Sequence, residues 1–199
     1  MVRSGELTRE NIIRQAAALF NQQGFAGASM SDIMQATGLQ KGGIYRHFES
    51  KEALALEAFD YAVQQMAGRF TAALDGRENA VDRLHAIIDV FARLHDDPPV
   101  PGGCPMLNTA VETDDGSNPA LRDRARTAMD GLRTLVRQTV RKGIPRGEVR
   151  ADVDGDELGT LLISTLEGGV ALSRLYGDGV HLQRAADAMR RYLDERVRA

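Results

Sequence analysis

Turn residues cut this chain of 199 residues into segments whose apolar side chains recur every three or four positions. No segment alternates apolar and polar residues at the period of two that a half-buried strand needs. This leaves an all-α fold of about nine helices. The first is expected over 8–23, with Ile12, Ala16, Leu19 and Phe20 on one face, Thr8 as its N-cap and Gly24 as its stop. Ser29 and Asp32 have capping-box spacing for a second helix over 30–37. Gly38 forces a turn that Leu39 plugs, and a third helix runs from 41 to about 48. Ser50 caps a long fourth helix over 51–74. Later helices are expected over 79–94, 104–113, 119–142, from the cap Asp154 to 176, and over 182–196. The clearest loop is 95–103, rich in Pro and Gly.

Composition narrows the function. Hydrophobic residues make up 43%, enough for a sizeable core, and the scarcity of aromatics with no Trp favours helix over sheet. The net charge of −3 argues against a general nucleic-acid coat protein. Residues 1–51, however, carry six Lys/Arg against four Asp/Glu, so the basic excess is N-terminal. A single cysteine, Cys104, cannot form an intrachain disulfide. The N-terminus lacks the apolar region of a signal peptide. The most apolar stretch is interrupted by Glu167 and Arg174, short of the ~18 residues of a membrane span. A soluble, cytoplasmic protein with no membrane partner is the expectation. His47, His85, His95 and His181 show no helical pairing that would hold zinc. Residues 152–163 fail the calcium-loop pattern, with the glycine misplaced and Ile163 where the final acid belongs. With no phosphate loop and no nucleophile elbow, no metal, no cofactor and no enzyme activity are expected.

Residues 30–48 have the order helix, glycine turn, short helix, which is a helix-turn-helix. Its second helix lies in the major groove. Gly42 and Gly43 remove bulk where backbone approaches DNA, and Lys41 reaches a guanine edge or a phosphate. Tyr45 and His47 suit phosphate hydrogen bonds that fix register. Lys51, in the first turn of the next helix, opposes the helix dipole, which a nearby phosphate would explain. Ser29 is placed for another phosphate. Arg46 is as easily a solvated residue as a contact, and Arg3 and Arg9 are candidates for an N-terminal arm, with a disordered tail the plainer expectation for Arg3.

AAALFNQQGFAG (residues 16–27) followed by SMSDIMQATGLQKGGIYRHFESKEAL (residues 29–54) resembles the tetracycline-repressor-like (TetR) family of one-component regulators. The likeness is strong over about residues 8–60. Further on, GGCPMLNTAVE and LEGGVALSRLYG look like the ligand domain of a Gly-Cys-containing subgroup. The resemblance implies residues 1–50 as the DNA-binding domain and 51–199 as the ligand-binding and dimerisation domain. It implies a homodimer on a palindromic double-stranded operator, with the last two long helices forming its interface. It further implies a repressor that a small-molecule effector releases through the fourth helix. Carried over by position, the DNA contacts are Ser29, Lys41, Gly42, Gly43, Tyr45, His47 and Lys51. Two positions depart from the family pattern: Gln40 replaces a small capping residue, and Gly43 replaces Thr or Ser.

Helical phase places Met66, Phe70, Phe91, His95, Cys104, Leu107, Asn108, Val111, Met129, Leu132, Thr165 and Tyr176 near an effector pocket. That lining suits a largely apolar ligand. Cys104 opens a helix, a position that promotes thiolate, so an electrophile- or redox-sensing repressor is the alternative; a small buried apolar residue is the plainer reading. Gly168 and Gly169 inside an apolar helix suggest close helix approach at a dimer seam or room for a ligand, the dimer seam or its edge being the favoured reading; tight packing within one subunit is the plainer one.

Overall fold

The computed structural model describes residues 4–199, and nine α-helices order them. They are α1 (Ser4–Gly27), α2 (Met30–Thr37), α3 (Lys41–Tyr45), α4 (Lys51–Leu74), α5 (Ala80–Ala92), α6 (Pro105–Glu112), α7 (Pro119–Gly143), α8 (Gly155–Tyr176) and α9 (Val180–Tyr192). Among the described residues the only strand-like pairing is an isolated bridge between Val149 and Arg198. The helices fall into two compact units. One takes the chain up to Met66 together with Pro99–Arg126; the other takes Ala67–Pro98 and Thr127–Ala199.

Local capping sets most boundaries. The Ser29–Asp32 box starts α2, and Gly38 ends it at φ 70°, a left-handed conformation that glycine adopts without penalty. Ser50 Oγ accepts from Ala53 N at the start of α4. Asn79 and Asp154 accept from the first free N–H groups of α5 and α8. Three boundaries differ from expectation. α1 begins upstream of Thr8, so Thr8 lies inside the helix, and the helix bends at Gly24 (φ 80°, ψ 163°) before continuing to Gly27. α3 stops at Tyr45, because Gln40 supplies no side-chain cap and two glycines weaken so short a helix. The last helix widens after Tyr192 into a π-helical turn over Leu193–Val197 that buries Leu193 and Val197.

In the first unit, Ile12, Ala16, Ile33, Ile44, Phe48, Leu54 and Ala58 form one buried cluster, with Leu39 and Met34 packed against it. The inward faces of α1 to α4 thus meet at one point, and Ile44 and Phe48 anchor α3 and the turn that follows it. In the second unit, α5, α8 and α9 pack on one another. Their core includes Leu84, Ile88, Phe91, Leu162, Leu166, Leu182 and Met189. Gly169 permits the closeness of α8 and α9: a β-carbon there would lie 2.9 Å from Ala185 Cβ and 3.0 Å from Leu182 Cα. That glycine serves packing within one chain, whereas Gly168 beside it is exposed with open space around it. No helix of the described residues is long and apolar enough to cross a membrane.

Candidate nucleic-acid interface and its supports

α2, the Gly38 turn and α3 form the helix-turn-helix. Burial of Ile33, Ile44 and Phe48 turns the opposite face of α3 outward. Lys41, Gly42, Tyr45 and Arg46 are exposed on it, and Gly43 and His47 are half-buried. Tyr45 keeps 40% of its surface, so it is not a core tyrosine. The Lys41 ammonium sits 5.7 Å from the centre of the Tyr45 ring, a cation–π approach that pairs the two at the surface.

Neither helical glycine of α3 answers a need of the fold. Both lack the positive φ that would require glycine, and a β-carbon at Gly42 would meet nothing within 4 Å. At Gly43 it would make ordinary contact with Leu39 Cβ at 3.5 Å. Each glycine costs a helix about 1 kcal/mol relative to alanine.

Two expected contacts are engaged inside the chain. Ser29 Oγ donates to Asp32 Oδ2 (2.6 Å) and accepts from Asp32 N (3.1 Å), while Ser29 N donates to the same carboxylate oxygen (2.7 Å). The Ser29 hydroxyl bond, then the backbone bond, hold the Asp32 carboxyl below its ordinary pKa of 3.8. The Lys51 ammonium donates to the Phe25 carbonyl and lies 4.3 Å from the Phe25 ring centre. A lysine in the first turn of α4 is thus compensated by a carbonyl at the far end of α1, a partner that sequence spacing does not reveal. Arg9 is likewise occupied: its guanidinium bonds both oxygens of Glu57 and lies over Phe48. Arg3 lies outside the described residues.

Sequence reasoning missed a polar tie between α1 and the segment around α6. The Asn21 amide donates to the carbonyls of Val100 (3.4 Å), Pro101 (2.9 Å) and Gly103 (3.1 Å). The Asn108 amide donates to Asn21 O (3.0 Å), Asn21 Oδ1 (2.7 Å) and Gly102 O (2.9 Å). Glu112 accepts from the N–H groups of Phe25 and Ala26, both at 2.8 Å. These are the donors freed by the bend at Gly24, so the carboxylate caps a broken helix. Gly102, at φ 112°, lets the loop lie on α1: a β-carbon there would meet Asn21 O at 2.5 Å. The one signal in the sequence was the pair of loop glycines before Cys104; the pairing of two distant asparagines had none.

The expected effector residues are distributed over both units. In the first, Met66 and Cys104 are fully buried, Leu107 and Asn108 half-buried, and Val111 exposed. In the second, Phe91 and Leu132 are buried, and Phe70 packs on Phe91 with ring centres 5.8 Å apart. Met129, His95 and Thr165 are half-buried. Tyr176 is 65% exposed and stacks on His181 at 4.8 Å. Among the described residues no group of His, Cys, Asp or Glu is arranged to hold a metal ion.

Residues 12–58 match the family model described as bacterial regulatory proteins, tetR family. Residues 80–189 match that described as tetracyclin repressor-like, C-terminal domain. A crystal structure of a TetR transcriptional regulator from Chloroflexus aurantiacus is 50% identical, with a TM-score of 0.96 over 99% of each chain. The transcriptional regulator LmrA of Bacillus subtilis is 30% identical over 83% of this chain and 86% of its own. The transcriptional repressor ComR of Escherichia coli is 29% identical over 80% of this chain and 76% of its own. The expected helix-turn-helix thus lies inside a matched region, and the relatives are regulators rather than enzymes. The chain belongs to the TetR family of helix-turn-helix transcriptional regulators.

Proposed function

We propose that this regulator is a cytoplasmic repressor that binds a palindromic operator as a homodimer and is released by a small, largely apolar effector. In this reading residues 1–50 bind DNA, and residues 51–199 bind the effector and dimerise. The observation that carries it is the pair Gly42 and Gly43: two helical glycines on an exposed face that the chain's own packing does not require. Close passage of a phosphate backbone or base edge gives them a reason. Lys41, Tyr45 and His47 flank that bare surface as hydrogen-bond and charge partners. Ser29 contributes through the exposed start of α2. Lys51 acts mainly by holding α1 to α4, with any phosphate contact secondary to its bond to Phe25. The repressor name of ComR supports repression over activation.

Support for a homodimer comes from the second unit, where Leu161, Leu172, Leu175, Tyr176, Val180 and Tyr192 are exposed large hydrophobic residues on α8 and α9. Water-facing leucines in such number ask for a cover, and a second copy supplies one with the same surface. The apolar effector matches the buried Phe70–Phe91 pair and Leu132. Release is read out through α4 and through the Asn21–Asn108–Glu112 tie, since moving α6 by a fraction of a hydrogen-bond length disturbs the bent end of α1. Cys104 is 0% exposed, which favours packing over electrophile sensing.

The test is a gel-shift titration with DNA from upstream of the protein's own gene at several salt concentrations. Wild type should bind with a steep salt slope. Gly42→Leu and Tyr45→Ala should each weaken binding by about tenfold or more without lowering the melting temperature. Binding that survives Gly42→Leu would mean that no part of the DNA passes close to the glycines. A monomer by light scattering would remove the dimer.

A further inference from the structure

We propose that the second unit carries a site for a small, multiply charged oxyanion, a phosphorylated compound or a polycarboxylate. It goes beyond the operator-binding reading and does not depend on it. The site is a cavity of about 460 Å³ among the turn after α4, the start of α5 and the end of α7. Arg77, Arg83, Lys142 and Arg146 line it, with Glu78 as the single carboxylate and Gln138 as a neutral donor and acceptor.

The three guanidinium groups are fixed by the main chain. Arg77 Nε donates to Ala73 O (2.9 Å). Arg83 Nη1 donates to Leu74 O (3.3 Å) and Arg77 O (3.0 Å), and Arg146 Nη1 to Glu78 O (3.1 Å). A carbonyl orients a guanidinium without cancelling its charge, and each arginine keeps further N–H groups for a ligand. Elsewhere in this unit Arg69, Arg133, Arg137, Arg150, Arg190 and Arg198 each face an aspartate. Among the described residues, no carboxylate forms an ion pair with any of the four cations at the cavity.

Helix chemistry explains part of this arrangement. Cations suit the C-terminal carbonyls of α4 and α7. Arg83 sits in the first turn of α5, where the dipole disfavours a cation, and its bonds to the carbonyls of Leu74 and Arg77 at the end of α4 offset that cost. Helix chemistry does not explain why Arg146 turns into the same space as Lys142. Like charges gathered around one cavity repel, and a bound oxyanion relieves that repulsion. The guanidinium fork gives the chemistry its class, since it meets two oxygens of a phosphate or carboxylate at once. The volume lies within the range of small-molecule sites.

The experiment is titration calorimetry on the full chain with pyrophosphate and, separately, citrate, in chloride buffer of matched ionic strength, with acetate as the monovalent comparator. At least one of the two should bind at one site per chain and raise the melting temperature above the acetate value. Which one does so separates a phosphorylated ligand from a polycarboxylate. Arg77→Gln with Arg146→Gln should weaken binding by about tenfold or more, and Lys142→Gln alone by a few-fold. Arg93→Gln, an exposed arginine outside the lining, should leave it unchanged. Should the double variant fail to fold, Lys142→Gln carries the test. Two anions no better than acetate, or variants that bind like wild type, would overturn the proposal.

Discussion

The two compact units are held by different kinds of force. In the first, the decisive contacts are directional: Asn21 and Asn108 bond five main-chain carbonyls between them, Glu112 caps the bend of α1, and Lys51 meets the Phe25 carbonyl. In the second, the interior is mainly aliphatic and aromatic, with Thr139, Glu167 and Ser173 buried in it, and the arginine–aspartate pairs sit outside it, half-exposed. Hydrogen bonds fix where a helix lies to within tenths of an ångström and fail when a partner is removed. Apolar packing is worth more in sum but tolerates adjustment among many neighbours. The first unit, which presents α3 on its own apolar cluster, adds directional bonds that fix α1 against the α6 segment. The second relies more on apolar packing.

The largest effect should come from the second unit's core. Phe91→Ala removes a fully buried ring and the partner of Phe70, and should cost about 3–5 kcal/mol in urea unfolding. Next should come the tie in the first unit. Asn108→Leu keeps the volume but strands Asn21 O, Asn21 Oδ1 and Gly102 O, and should cost about 2–3 kcal/mol. It should also alter operator affinity, which Phe91→Ala does only as far as it unfolds the chain. Equal effects of the two variants on DNA binding, at temperatures where both are folded, would erase the contrast between the units.

How much of the fold and the site was legible in the sequence follows the same division. Caps, the Gly38 turn and the inward residues of α2 and α3 are local events, written within a few positions of one another, so helix order and the exposed face of α3 could be read directly. The Ser29–Asp32 box is one such case, predicted from spacing and observed. The start of α1 lies upstream of expectation because Thr8 is only a weak competitor against continued helix with nothing to break it. Glu112, Asn21 and Lys51 act across tens of residues, and no spacing rule connects them. Lys51 is instructive: its conflict with the helix dipole was visible, but the partner that resolves it was not. The basic cavity is invisible in the sequence for the same reason, its cations being drawn from positions 77 to 146.

A smaller effect should appear at the start of α2. The Asp32 carboxyl is held below its ordinary pKa of 3.8, first by the Ser29 hydroxyl and then by the Ser29 N–H. A depressed folded-state value means that the box stabilises the fold above the ordinary carboxylate range and loses that contribution as pH falls through the folded value. In an NMR titration, Asp32 should therefore titrate below 3.8 in wild type. Ser29→Ala should move it upward and lower stability at neutral pH by about 1 kcal/mol, the worth of a helix cap. An Asp32 that titrates alike in both proteins would show that the cap is broken in solution.

The smallest effect should lie on the outside of the second unit. Arg133 lies 3.4 Å from Asp130 and 3.6 Å from Asp156, and all three side chains keep between 44% and 58% of their surface. At that exposure water and salt screen the attraction, and the long side chains lose rotamer freedom in holding it. Arg133→Gln should change stability by less than about 0.5 kcal/mol, and less still in high salt. A loss comparable with that of Asn108→Leu would mean that directional polar contacts matter as much in the second unit as in the first. The surface pairs would then have to be counted with the aliphatic core as part of what holds α7 and α8 in place.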